Sequence, residues 1–141
     1  MAQLTSPLET APIHPEMAAD IDKFEEMLAG YFAGRVPEDV FRVFRLNNGI
    51  YGQRQGGTNQ MVRVKVPYGA MTADQLDALA DLVVDHSRGW GHITTRQNIQ
   101  FHFVELAEIP LVMRRLASVG LTTREACGDT VRNVQGCHLA G

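Results

Sequence analysis

Hydrophobic and polar positions alternate along the chain with two periods, and the changes between them predict the elements. From Glu16 to Phe32 the apolar residues Met17, Ile21, Phe24, Leu28, Tyr31 and Phe32 recur at helical spacing, which predicts an amphipathic helix ended by Gly34. Pro37, followed by Glu38 and Asp39, predicts the first turn of a short helix to about Leu46, since proline is favoured there and acids complement the helix dipole. Asn47-Asn48-Gly49 stops it, and residues 51–59 read as a polar, glycine-bearing loop. Residues 60–66 alternate, with Val62, Val64 and Val66 on one face and Met61, Arg63 and Lys65 on the other, the period-2 pattern of a strand. Thr72 with Gln75 three residues later forms a capping box for a helix whose stripe carries Leu76, Leu79, Leu82, Val83 and His86. Residues 92–104 predict a hairpin: a strand over 92–96, a tight turn near Gln97-Asn98, and a return strand to Val104. In its second half Ile99, Phe101 and Phe103 alternate with Asn98, Gln100 and His102. Pro110 opens a last helix with Ile109, Val112, Met113, Leu116 and Val119 inward and Gly120 as its cap. The tail ends VRNVQGCHLAG, read as a short final strand, and residues 1–15, with three prolines and no period, read as an extended or disordered leader.

Strand, helix, strand, strand, helix and a last strand is the split βαβ order. The expected fold is therefore α+β: a ferredoxin-like split βαβ unit with an antiparallel sheet, preceded by N-terminal helices. Helices would cover one sheet face and leave the other open. Val62, Val64, Ile99, Phe101 and Phe103 are then expected toward the helices, and Arg63, Lys65, Gln100 and His102 on the open face. The boundaries read as 1–15 leader, 16–59 helices and loop, 60–121 the ferredoxin-like unit, and 122–141 a tail.

Charge changes the meaning of that open face. The chain has 141 residues and a net charge of -3, so it is no general nucleic-acid binder by charge. No Asp or Glu occurs between Asp39 and Asp74, however, while Arg42, Arg45, Arg54, Arg63 and Lys65 do. A second acid-free run, from His86 to Val104, holds Arg88, Arg96 and three histidines. Hydroxyls from Thr94 and Thr95, an amide, an imidazole and guanidinium groups on one face suit an anion or polycarboxylate. An RNA-binding sheet of the same topology would expose aromatics for base stacking, whereas Phe101 and Phe103 are expected on the valine face. The two cysteines, Cys127 and Cys137, have neither disulfide nor metal-ligand spacing and read as free thiols in a reducing cytoplasm. His86 and His92 read as structural histidines, and Trp90 and Tyr68 as packing residues near the site. No apolar run is long enough to span a membrane.

The segments MVRVKVPYG and GWGHITTRQNIQFHF, a Pro-initiated helix ending VGLTT, and GDTVRNVQGCHLAG occur in this order. Together they resemble the N-terminal half-domain of the sulfite and nitrite reductases that carry sirohaem and an iron–sulfur cluster, from about Val40 to the last residue. TTRQNIQ followed by GDxxRN is the most specific part. The resemblance implies that Arg63 and Arg132 bind the substrate oxyanion on the distal side of sirohaem. It implies that Thr94, Thr95, Arg96, Gln100, His102 and Asn133 hold the macrocycle and its carboxylates. The reaction implied is the six-electron reduction of sulfite or nitrite, with ferredoxin or a flavoprotein as electron donor.

Beyond those motifs the chain departs from the family. The cysteines that hold the 4Fe-4S cluster and the two lysines that complete the anion pocket lie downstream in the family and have no counterpart here. His138 also stands where proline is more usual after Gly-Cys. The resemblance makes residues 60–121 the ferredoxin-like half-domain and 122–141 the truncated start of the sirohaem-binding domain. The expectation is therefore an N-terminal fragment that lacks its C-terminal half, supplies no metal ligand, is inactive alone and binds sirohaem weakly if at all. A stand-alone ferredoxin-like module for a tetrapyrrole or anion, without catalysis, is the alternative.

Overall fold

The computed structural model describes residues 12–55, 57–137 and 139. Most of the predicted leader, and His138, lie outside them. Of the leader, Ile13 packs against the core and His14 caps the first helix. That helix, α1, spans Pro15–Phe32, and its Ile21, Phe24 and Leu28 are buried. Gly34 at φ +70 closes it, its N–H donating to the Tyr31 carbonyl. Helix α2, Glu38–Asn47, buries Phe41, on which Tyr31 stacks at 4.4 Å.

The strands are β1 Ile50–Gly52, β2 Asn59–Val64, β3 Gly91–Ile93 and β4 Ile99–Glu105. Helix α3, Ala73–His86, lies between β2 and β3, and α4, Ile109–Ala117, follows β4. The sheet runs β1-β2-β4-β3 with every pair antiparallel. β2 and β3 are both antiparallel to β4 and hence parallel to each other, split by β4 with α3 as the crossover. The fold is thus α+β and ferredoxin-like, with two helices ahead of the sheet.

Alternation decides which sheet face is dry. Val62, Val64, Phe101 and Val104 are wholly buried with Leu79 and Leu82 of α3 and Ile109, Val112 and Leu116 of α4. The α3 capping box forms, Thr72 accepting from the Gln75 N–H while the Gln75 side chain accepts from the Thr72 N–H. Arg114 on α4 joins Asp22 and Glu25 of α1 at 2.8 and 2.9 Å.

Five expectations change. Phe103 does not enter the core. Gln60 pairs with Val104 and Val62 with Phe101, so β4 carries one extra residue against β2, a bulge. Phe103 takes φ +64 there, and Val104 assumes the inward place. Its ring is covered by the Arg88 guanidinium, 3.4 Å from the centroid. Phe103 therefore does not count against an RNA-binding sheet in the way its expected face implied. Second, the strand read over 92–96 ends at Ile93, so Thr94, Thr95 and Arg96 form the turn. Thr94 Oγ1 causes this by accepting from the N–H groups of Arg96 and Asn98, each at 3.2 Å.

Third, Tyr51 and Gly52, read as loop, are strand β1, paired with Met61 and Gln60. Gly49 permits this approach. At φ +78, a Cβ there would stand 2.8 Å from the Arg63 carbonyl oxygen and closer still to that of Thr123. Fourth, the tail forms no strand among its described residues. The last strand of the ferredoxin-like order is reduced to a single bridge, Lys65 to Thr122, on the β2 edge that β1 also borders. Fifth, Leu76 on the predicted apolar stripe of α3 is 55% exposed.

Candidate functional site

The open face is built on one cross-strand row. Register sets His92 of β3 opposite Gln100 of β4, and Gln100 opposite Arg63 of β2. A guanidinium can only donate, so it orients the Gln100 amide. The oxygen accepts from Arg63 Nε at 2.6 Å and from its Nη2, and the amide nitrogen donates to His92 Nε2 at 2.7 Å. His102, two residues along β4 on the same face, stacks on His92 at 5.3 Å and on Trp90 at 5.5 Å.

The cations come from three elements. Arg63 is on β2, Arg96 in the β3–β4 turn and Arg132 in the tail. Burial pushes the Arg63 guanidinium below its usual value. The buried Cys127 opposes that shift, while Arg132 and Arg96 add to it. Among the described residues none of these arginines has a carboxylate partner, whereas Lys65 lies 3.6 Å from Glu125 and donates to the Val131 carbonyl at 3.2 Å. Burial, with His92 and Arg63 nearby, lowers the His102 pKa. Arg63 and Arg132 are half-buried and Arg96 is exposed, and cations without internal counter-charge among the described residues make this face a candidate site for an external anion.

The tail is stitched to the turn that carries Arg96. Asn133, buried, donates from Nδ2 to the carbonyls of Val66 at 2.7 Å and Arg96 at 2.9 Å. Gln135 donates to the Thr95 carbonyl at 2.7 Å, and Gln97 exchanges two bonds with the backbone of Gly136. Asn98, 1% exposed, accepts from the Val66 N–H. Of the expected residues, then, Arg63, Gln100 and His102 share the sheet face, and Arg96 and Arg132 act electrostatically on Arg63. The Thr94 hydroxyl and the Asn133 amide hold backbone, and Thr95 is exposed in the turn. Arg132 also donates to the Gly128 carbonyl at 2.9 Å.

Three residues acquire roles that the sequence did not suggest. His92 belongs to the row and to the stack. Asn98 ties the turn to the end of β2. Gln53, in a loop without periodicity, accepts from the Phe103 N–H and reaches His102. His86 meets Glu108 at 3.2 Å and lies outside the site, as expected of a structural histidine. Cys127 is buried and donates to the Leu46 carbonyl. No group of three or more His, Cys, Asp or Glu among the described residues could hold a metal ion.

The nitrite/sulfite reductase ferredoxin-like half domain matches residues 51–119. Those residues belong to that family. An assimilatory ferredoxin-dependent nitrite reductase of Haloferax mediterranei is 38% identical over 66% of this chain and 18% of its own length. Sulfite reductase [ferredoxin] 2 of Mycolicibacterium paratuberculosis is 46% identical over 57% of this chain and 15% of its own. The structure of the Mycobacterium tuberculosis NirA protein superposes with TM-score 0.73 at 31% identity, over 89% of this chain and 27% of that one. The chain therefore spans less than a fifth of the length of the two named reductases and about a quarter of the NirA chain. Arg63, Gln100, His102, Arg96 and the hairpin turn all lie inside the matched nitrite/sulfite reductase segment, while Arg132 and Asn133 follow it.

Proposed function

We propose that the open face is one half of a pocket for sirohaem and a small oxyanion, in a reductase that converts sulfite to sulfide or nitrite to ammonia by six electrons. The observation that carries this is the cluster of Arg63, Arg96 and Arg132, without carboxylate partners among the described residues, set in a fold shared with sulfite and nitrite reductases. Sirohaem is a polycarboxylate, and the donor set fits it: fixed guanidinium forks, an amide, an imidazole, and no acid on the strand row. In this reading Arg63 and Arg132 bind the oxyanion, polarise its oxygens and stabilise charge as oxygen leaves as water. Arg96, Gln100, His102 and Thr95 face the macrocycle and its carboxylates. Thr94 and Asn133 contribute by fixing the backbone at Arg96. When bound, sirohaem and a 4Fe-4S cluster supply the electron chemistry.

Both substrates are small oxyanions served by the same cations, in keeping with relatives named for either substrate. A ferredoxin is the proposed electron donor, after the names of those relatives, and the cytoplasm the proposed compartment. No helix among the described residues is long and apolar enough to cross a membrane. The chain by itself is proposed to be inactive, because Cys127 is committed to the core and Cys137 stands alone.

Mapping by NMR tests this. Titrating the labelled chain with sirohaem is expected to move the signals of Arg63, Arg96, Gln100, His102 and Arg132, weakly and in fast exchange. Shifts confined to the α3 and α4 surface, with this face silent, contradict the reading.

A further inference from the structure

Two glutamines fix the protons of the stacked histidines. Phe103 presents a backbone N–H, which can only donate, to Gln53 Oε1 at 2.6 Å. That contact turns the Gln53 amide nitrogen, also only a donor, toward His102 Nδ1 at 3.3 Å. Nδ1 must then be the lone-pair nitrogen, and the ring proton of neutral His102 sits on Nε2, which has no partner among the described residues. On the other side, Gln100 donates to His92 Nε2, so His92 carries its proton on Nδ1. The β4 bulge makes the first clamp possible, since φ +64 at Phe103 aims its N–H out of the ladder toward the β1–β2 loop.

We propose that Gln53 is a positioning residue that holds His102 as the Nε2–H tautomer, so that the anion face is offered a neutral imidazole donor with fixed direction. The tautomer stands on the hydrogen bonds alone, and only its use toward a ligand rests on the function proposed above. The groups facing His102 are Arg63 from β2, His92 from β3, the neutral Trp90 ring, and Gln53 from the loop after β1. None is an acid. A proton on Nδ1 would face the Gln53 NH2 group, and burial beside His92 and Arg63 disfavours the imidazolium in the same direction.

Imidazole nitrogen NMR on the whole chain tests the assignment. Wild-type His102 is expected to show a pyrrole-type Nε2 and a pyridine-type Nδ1 at pH 7.5. Gln53→Glu keeps an acceptor for Phe103 but turns a second oxygen toward His102. It is expected to move the proton to Nδ1 and raise the titration midpoint. Gln53→Met, which offers no partner, is expected to give averaged signals. Unchanged His92 nitrogens and unchanged Val62 and Val64 methyls in either variant report an intact fold, and if Gln53→Glu loses them, Gln53→Met carries the test. A wild-type proton on Nδ1, or nitrogen signals indifferent to both substitutions, overturns the proposal. If sirohaem fails to perturb the wild-type face while the tautomer behaves as stated, the ligand reading fails and the positioning of His102 by Gln53 stands.

Discussion

The two faces of one sheet obey opposite rules. On the helix face Val62, Val64, Phe101 and Val104 have no exposure, and stability there comes from apolar area withdrawn from water and filled to high density. On the open face the same strands present Arg63, Gln100 and His102, joined by His92 and by arginines from the turn and the tail. Those groups gain little for the fold by lying together, because like charges repel and no acid among the described residues offsets them. One face specifies the structure, and the other, in the function proposed above, is kept at some cost for a partner of opposite charge.

Core truncation should give the largest separation between the faces. Phe101→Ala is expected to lower unfolding free energy by about 3–5 kcal/mol, since it opens a cavity under α3 and α4. Denaturant midpoints measure it, and a loss no greater than that of an open-face variant breaks the contrast. Asn98→Ala should come next, at about 1–3 kcal/mol, because it leaves the buried Val66 N–H without its acceptor. Loosening of the 94–98 turn should follow in hydrogen exchange. Phe103→Gly should stay within about 1 kcal/mol, despite removing a larger side chain than Asn98→Ala does. The lost contact with Arg88 is offset by relief at φ +64.

The smallest effect expected is on pH dependence. The folded His102 pKa lies below its ordinary value of 6.5, so between the two the unfolded chain binds more protons and stability falls as pH drops through that window. His102→Gln should flatten the slope just below pH 6.5 in thermal melts. An unchanged slope would mean that His102 is not the group responsible.

Periodicity made most of the dry face readable. Valines two apart in β2 and apolar residues three and four apart in α1 and α4 report burial directly, and the resemblance of TTRQNIQ and GDxxRN pointed to the cations. What escaped was set by backbone bonding rather than by pattern. Thr94 ends β3 early by capturing two N–H groups, a local competition that alternation does not register. The bulge at Phe103 reverses the apparent inward order of Phe103 and Val104, which only the partner strand reveals. Gln53 and Asn98 act through single bonds to residues distant in sequence, and polar residues in loops carry no periodic trace of such roles. The tail gave up its expected strand because its polar groups are taken up elsewhere: the Gly136 N–H donates to the Gln97 side chain, the Val134 carbonyl accepts from the Tyr68 N–H, and the Asn133 side chain donates to the Val66 carbonyl.

Whether the open face is organised for a polycarboxylate is tested most directly by equilibrium titration with sirohaem, followed by its visible absorbance, at low and high salt. The wild-type chain is compared with Arg96→Ala/Arg132→Ala. Weak binding is expected for wild type, since in the reading proposed above this face supplies only one half of the pocket. It should weaken further with salt, and by about tenfold or more in the double variant, the effect of losing roughly 1.4 kcal/mol of charge-assisted contact. Equal affinity of the two proteins, unaffected by salt, would contradict the account.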